Sequence, residues 1–245
     1  MGTRIQLCGR LVAEIDGRRI DDQLPGPQGR VLFAYLVVAR RRPSGRLELI
    51  DALWRDDAPA DPETALSALL SKLRRVVGSD RLEGRSTVQL RLPPDAWVDL
   101  EVAGEAIHRA ESAAAQADWT GAWGPGRVAQ HIAARSFLSG EDAPWITDIR
   151  ARLDEIYATA LEVTTRAGLG IGGTELDTAL RSARSLIAHN PYRESGYRLL
   201  MEVHERRGNA AEGLRAYDEL RNRLRDELGT APSAETQQVH RRLLG

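Results

Sequence analysis

Cysteine is nearly absent from this chain, and what little there is excludes two chemistries at once. Cys8 is the sole cysteine of 245 residues, so no internal disulfide and no cysteine-based zinc site can form, which fits a reducing compartment. Long apolar runs are missing too. The longest, Val31 to Ala39, has nine residues, where a membrane span needs about 20. The start, Met-Gly-Thr-Arg-Ile-Gln, lacks the apolar stretch of a secretory leader, and the expectation is a soluble, cytoplasmic protein with no membrane partner. Aromatics make up 5%. An excess of one charge is lacking as well: 34 Lys+Arg stand against 35 Asp+Glu, so no bulk charge points to nucleic acid or membrane. Lysine is reduced to Lys72, against 33 arginines.

Catalytic signatures are equally scarce. The five histidines, at 108, 131, 189, 204 and 240, have no metal-ligand spacing. Gly168 to Gly173 looks like a phosphate loop, but no strand precedes it and no Lys-Ser/Thr follows, so it reads as an inter-helix linker. No nucleophile elbow is present, and Cys8 has no cationic neighbour in sequence nearer than Arg10. No enzyme activity, cofactor or metal is expected.

What the chain does have is a change of character near residue 95. Residues 1–95 carry 16 basic and 13 acidic side chains, and the remainder 18 and 22, so only the first segment is mildly basic. Residues 4–20 alternate as two short strands about the turn Asp16-Gly17. After Pro25-Gly26-Pro27, the apolar residues from Val31 to Ala39 recur at helical spacing, ending in Arg40-Arg41-Arg42-Pro43. A second helix, 46–54, carries Leu47, Ile50, Leu53 and Trp54. An acidic, proline-bearing turn follows. Asp61 then caps a third helix, 62–77, with Pro62 at its first position and Leu66, Leu69, Leu70, Leu73 and Val77 as its stripe. Residues 81–92 read as a hairpin, with Leu82, Val88, Leu90 and Leu92 alternating against polar residues.

From Val98 on the chain reads as nearly all helical, with breaks expected at 121–126, 140–144, 168–173, 190–191, 208–209 and 229–232. Leu180, Ala183 and Leu186 return 34 residues later as Leu214, Tyr217 and Leu220, the tetratricopeptide period. Three helix pairs fit between about 142 and 244, with an irregular bundle as the alternative. Trp119, Trp123 and Trp145 are expected as core anchors.

The order of the first half describes a winged helix-turn-helix. Helix 62–77 would enter a major groove, and its outward face offers Thr64, Ser67, Ser71, Lys72, Arg74 and Arg75. Periodicity alone reads a small α+β domain with a solvated charged helix equally well.

Leu49-Ile50-Asp51-Ala52-Leu53-Trp54, the turn 56–62, Ala65-Leu66 through Ser71-Lys72-Leu73-Arg74-Arg75 and the hairpin 81–92 resemble the N-terminal domain of the Streptomyces antibiotic regulatory protein family. Gly140 to Trp145, Asn190 to Glu194, Gly208 to Tyr217 and Glu227 to Ser233 resemble that family's bacterial transcriptional activator domain. The resemblance implies a mainly α chain: a small α+β winged helix-turn-helix of the response-regulator output type at 1–95, then tetratricopeptide-like helical repeats at 96–245.

It further implies a transcription activator that binds direct repeats in double-stranded promoter DNA as a homodimer and recruits RNA polymerase holoenzyme. Ser67, Ser71 and Lys72 would lie nearest base edges and Arg74, Arg75, Arg85 and Arg91 on phosphates, with Thr64 on the same face. Arg55, Asp56, Asp57 and Asp61 become the polymerase-contact candidates. The chain departs from the family at Ser67-Ala68-Leu69, where bulkier polar residues are usual, and at Ser86-Thr87-Val88-Gln89 in place of Gly-x-Gly-Tyr. Those departures support an alternative reading, a protein-interaction module whose winged helix has lost sequence-specific DNA binding.

Overall fold

The computed structural model describes residues 2–55 and 57–245, and the expectation placed on Asp56 lies outside them. The chain divides into two compact units. One comprises 1–102 with 135–152; the other comprises 103–134 with 153–245.

In the first unit, β1 (Arg4–Gln6), β2 (Val12–Ile15) and β3 (Arg18–Arg19) form an antiparallel meander. Asp16 and Gly17 both adopt positive φ at the β2–β3 turn, as a two-residue hairpin of right-handed twist requires. A fourth strand, β7 (Trp97–Val98), pairs parallel to β1, giving the order β3-β2-β1-β7.

Helix α1 (Gly26–Val38) starts within Pro25-Gly26-Pro27 instead of after it. Proline suits a first turn, whose N–H groups have no intrahelical partner. The helix stops at Val38, before the three arginines, and it buries Val31, Leu32, Phe33, Ala34, Leu36 and Val37 as the unit's central element. Arg40 leaves the helix end to pair twice with Glu101, at 2.7 and 2.8 Å.

β4 (Ser44–Gly45), α2 (Arg46–Trp54) and α3 (Pro62–Val77) follow, then β5 (Leu82–Glu83) and β6 (Thr87–Leu90). A second sheet has the order β4-β6-β5. Leu66, Leu70, Leu73 and Val77 of α3 are buried, facing inward with Leu82, Val88 and Leu90 of the hairpin.

Residues 135–152 belong to this unit for identifiable reasons. Gly9 N–H donates to Ser136 C=O at 2.8 Å, and Cys8 pairs antiparallel with Phe137. The Arg150 guanidinium satisfies the carbonyls of Phe137, Leu138 and Glu141 at 2.7–3.0 Å. The Trp145 indole packs edge-on to Tyr35 and Phe137 and donates to Ala52 C=O at 3.1 Å. Asp99, fully buried, accepts the N–H groups of Leu7 and Cys8 at 2.9 Å each. Burial raises its pKa, and burial likewise raises that of the Cys8 thiol, with Asp99 beside it. A thiol so placed is a poor nucleophile.

The second unit is helical. It contains residues 103–134 with most of α4 (Asp99–Ala115) and all of α5 (Trp119–Ala133), then α6 (Pro144–Ile171) from residue 153. α7 (Glu175–His189), α8 (Glu194–Arg206), α9 (Ala210–Leu228) and α10 (Ala234–Leu244) complete it as two helix pairs. The 142–244 window thus holds two pairs preceded by one 28-residue helix, not three pairs.

Ala183, Leu186, Tyr217 and Leu220 of the repeat are buried, joined by Tyr197, Leu199, Leu200 and Met201 of α8. Glu194 of α8 accepts from the Ser233 N–H and hydroxyl and the Thr236 hydroxyl, fastening the start of α10.

Two expected breaks are helix. Gly121, Gly124, Pro125 and Gly126 lie inside α5, where the Asp118 cap accepts the Gly121 N–H at 2.9 Å in space a Cβ would fill. Gly168 and Gly170 lie inside α6, because Trp123 and Trp119 press against them; a Cβ on Gly170 would sit 2.1 Å from the Trp119 ring. Gly121, Gly126, Gly168 and Gly170 serve close packing, whereas Gly124 faces open space, and the true linker is 172–174.

Candidate nucleic-acid interface

Three elements of the first unit build one exposed surface: the start of α2, the outward face of α3 and the β5–β6 wing. α2 ends at Arg55, whose φ of 41° breaks the helix. After the turn, the Asp61 carboxylate accepts the Thr64 N–H at 3.0 Å and the Thr64 hydroxyl at 2.6 Å. This is the N-cap foreseen from sequence, and the Thr64 hydrogen bonds hold the Asp61 carboxyl below its usual pKa. Thr64 therefore spends its hydroxyl proton on the cap.

The stripe of α3 turns Ser67, Ala68, Ser71, Lys72 and Arg75 outward, all exposed. The side chains of Lys72, Arg75 and Arg85, the last at the wing tip, have no hydrogen-bond or ion-pair partner among the described residues. Three exposed cations beside two serine hydroxyls match what a major groove presents: phosphates on the rims and base edges on the floor.

The other expected residues sit differently. Arg74 turns to the wing, donating from Nε to Leu82 C=O at 3.2 Å and from Nη2 to Gly84 C=O. Its charge is committed to the protein backbone instead of an external phosphate. Arg91 pairs with Glu83 across the hairpin at 3.1 Å, both side chains more than half exposed, a pairing weak enough to exchange for another anion. Ser67 accepts from Arg46 at 2.8 Å.

Arg46 is the residue the sequence reading missed. At the first position of α2 it donates to the Glu63 carboxylate at 2.6 Å and the Glu63 carbonyl at 3.1 Å, and lies 3.4 Å from Arg85 C=O. One signal for it was available: a cation in a first helical turn opposes the helix dipole and calls for a compensating partner. Nearby, Glu48 accepts from Arg42, the Tyr35 hydroxyl and the Gly45 N–H; the Arg42 guanidinium, foremost, holds its pKa at about 2. Burial and that same carboxylate push Tyr35 up to about 12.

The wing turn itself depends on Gly84. Its φ is 88°, and a Cβ there would fall 1.9 Å from the Thr87 carbonyl oxygen.

On the side of the α2–α3 turn lies a groove of about 560 Å³, with Trp54 and Pro144 among its apolar residues and Asp51, Asp57, Asp142 and Asp148 around them. Arg55 also lines it. Of the polymerase-contact candidates, Arg55 and Asp57 thus face a groove, whereas Asp61 is occupied as a cap.

No helix among the described residues is long and apolar enough to cross a membrane.

Comparison with known proteins places these features. The family profile "Bacterial transcriptional activator domain" matches residues 98–244. "Regulatory protein AfsR" of Streptomyces coelicolor is 32% identical over 219 residues, covering 89% of this chain and 22% of AfsR. "Transcriptional regulatory protein EmbR" of Mycobacterium tuberculosis is 27% identical over 255 residues, covering 97% of this chain and 62% of EmbR. The chain therefore spans about a fifth of the AfsR length and under two thirds of EmbR. The solved structure of M. tuberculosis EmbR, in complex with a low-affinity phosphopeptide, superposes with a TM-score of 0.83 over 99% of this chain and 65% of that one, at 23% identity; at that identity the likeness speaks to the fold. With a winged helix-turn-helix ahead of tetratricopeptide-like helices and the profile match over the latter, the chain belongs to the bacterial transcriptional activator domain family.

Proposed function

We propose that the chain is a DNA-binding transcription regulator, active in the cytoplasm, that docks α3 in the major groove of promoter DNA and activates transcription. The observation that carries this reading is the exposed trio Lys72, Arg75 and Arg85, whose side chains have no hydrogen-bond or ion-pair partner among the described residues. Residues 1–95 supply the DNA-binding part and 96–245 the activator domain, and the names of AfsR and EmbR as regulators support the assignment. Ser67, Ser71 and Lys72 face base edges, and Arg75 and Arg85 face phosphates, with Arg91 able to join them by leaving Glu83. Two copies bind direct repeats as a dimer.

Recruitment of RNA polymerase holoenzyme falls to the 55–61 turn. The acidic groove that Asp57 shares with Asp142 and Asp148 supports that part of the reading, since it suits a basic segment of the polymerase. The test is selection of sheared genomic DNA on the purified protein at near-physiological salt. Recovery of a few sites with direct repeats about one helical turn apart is the expected result; folded protein that retains nothing above background overturns it. Exposed Ala68 on the groove face favours the second reading, a docking module, and a flat salt response of any DNA binding would select it.

A further inference from the structure

Ser67 is exposed on α3, yet its hydroxyl oxygen is already engaged by Arg46 Nη2–H at 2.8 Å. A helical serine ordinarily turns its own proton to the carbonyl one turn back, here that of Glu63. That carbonyl accepts from the same Arg46 nitrogen at 3.1 Å in addition to its place in the helix. The Ser67 hydroxyl hydrogen has no acceptor among the described residues, so it points outward, and the adjacent guanidinium repels any incoming N–H donor. The Arg46 side chain is 23% exposed and held on its other side by the Glu63 carboxylate at 2.6 Å.

We propose that Arg46 is a positioning residue that, by occupying one of the two lone pairs of the Ser67 hydroxyl and placing a cation beside the other, biases Ser67 toward donating, so that α3 selects a base with acceptors on its major-groove edge at the position facing Ser67. Guanine, whose edge shows N7 and O6 and no donor, fits; cytosine, whose edge shows an amino donor, does not. The proposal rests on the reading that the winged helix binds DNA.

The experiment is selection from a randomised duplex library with the full chain and the variants Ser67→Ala, Arg46→Lys and Arg46→Met, each checked by thermal melting, with salt slopes measured on the enriched sequence. The wild type is expected to favour guanine over cytosine about fivefold at one position, the yield of a single hydrogen bond. Ser67→Ala removes that preference and leaves the remaining positions intact. Arg46→Met weakens it, and Arg46→Lys, which keeps a cationic donor, retains it.

Ser67→Ala giving an unchanged motif overturns the proposal, as does cytosine at that position. Arg46→Met lowering affinity equally for all sequences makes Arg46 merely structural. A salt slope reduced by about 0.9 makes it a phosphate contact instead. Should the Arg46 variants unfold, Ser67→Ala, an exposed helical change to a better helix former, still decides. A wild type that enriches nothing overturns the DNA-binding reading itself and this inference with it.

Discussion

Arg74 Nε donates to the carbonyl oxygen of Leu82 at 3.2 Å, fixing the last turn of α3 to the first strand of the wing. One residue further on, Arg75 is exposed and makes no such bond. Two adjacent arginines are thereby given opposite tasks, and substitution separates them. Arg74→Ala is expected to lower unfolding stability by about 1–2 kcal/mol, the cost of charged-donor bonds to two carbonyls, with the salt slope of DNA binding unchanged. Arg75→Ala should leave stability within about 0.5 kcal/mol and reduce that slope by about 0.9. Melting curves and binding titrations between low and moderate salt check both; a slope change with Arg74→Ala would put that side chain on a phosphate.

Gly84→Ala tests the wing turn. With φ at 88° and the Thr87 carbonyl oxygen in the way, the substitution forces the tip to rearrange. A loss of about 1–3 kcal/mol is expected from the strain, accompanied by weaker DNA binding as Arg85 moves. Unaltered melting and binding would mean that the tip conformation is unimportant.

Glu48 carries a pH dependence whose sign is fixed by its partners. Its folded-state pKa of about 2 lies below the ordinary value of 4.5, so its contribution is fully present above pH 4.5 and is lost as pH falls from there through 2. Because the side chain is one-third exposed, screening reduces the effect to about 1 kcal/mol. Glu48→Gln should therefore destabilise the protein at pH 7 and shrink the difference from wild type at pH 2–3. A difference that stays constant over that range refutes the ion pair's role.

Trp145 joins the returning segment to the first unit through its rings and the Ala52 carbonyl. Trp145→Ala is expected to cost about 3 kcal/mol, at the lower end for a tryptophan because the side chain is only half-buried. Trp145→Phe should recover most of the packing but leave the Ala52 carbonyl without the indole donor. Denaturant midpoints of the two variants measure the difference, and equal midpoints would assign the indole N–H no weight.

Much of this was legible because some signals are local. Asp61-Pro62 announced a capped helix start, and α3 runs from Pro62 to Val77 as its stripe of leucines indicated. Asp16-Gly17 gave the hairpin, and the 34-residue recurrence gave α7 and α9. What escaped depends on partners distant in sequence. Gly121, Gly168 and Gly170 resemble breaks unless it is known that Asp118, Trp123 and Trp119 occupy the space beside them. The parallel pairing of β7 with β1 spans over 90 residues and leaves no local periodicity. At the candidate interface, spacing placed Ser67 on the outward face, but only geometry shows that Arg46 already engages it and that Arg74, expected beside it, turns to the wing.

The return of 135–152 to the first unit also constrains how the protein is made. While the ribosome is still synthesising α4 and α5, the edge of β1 beyond Gln6 lacks Ser136 and Phe137, and the aromatic site beside Tyr35 lacks Trp145. Domains usually mature in order as the chain emerges, but this N-terminal one must wait through 32 intervening residues, 103–134. A nascent chain released before about residue 152 presents an unfinished sheet edge and an open apolar site, a natural substrate for chaperones.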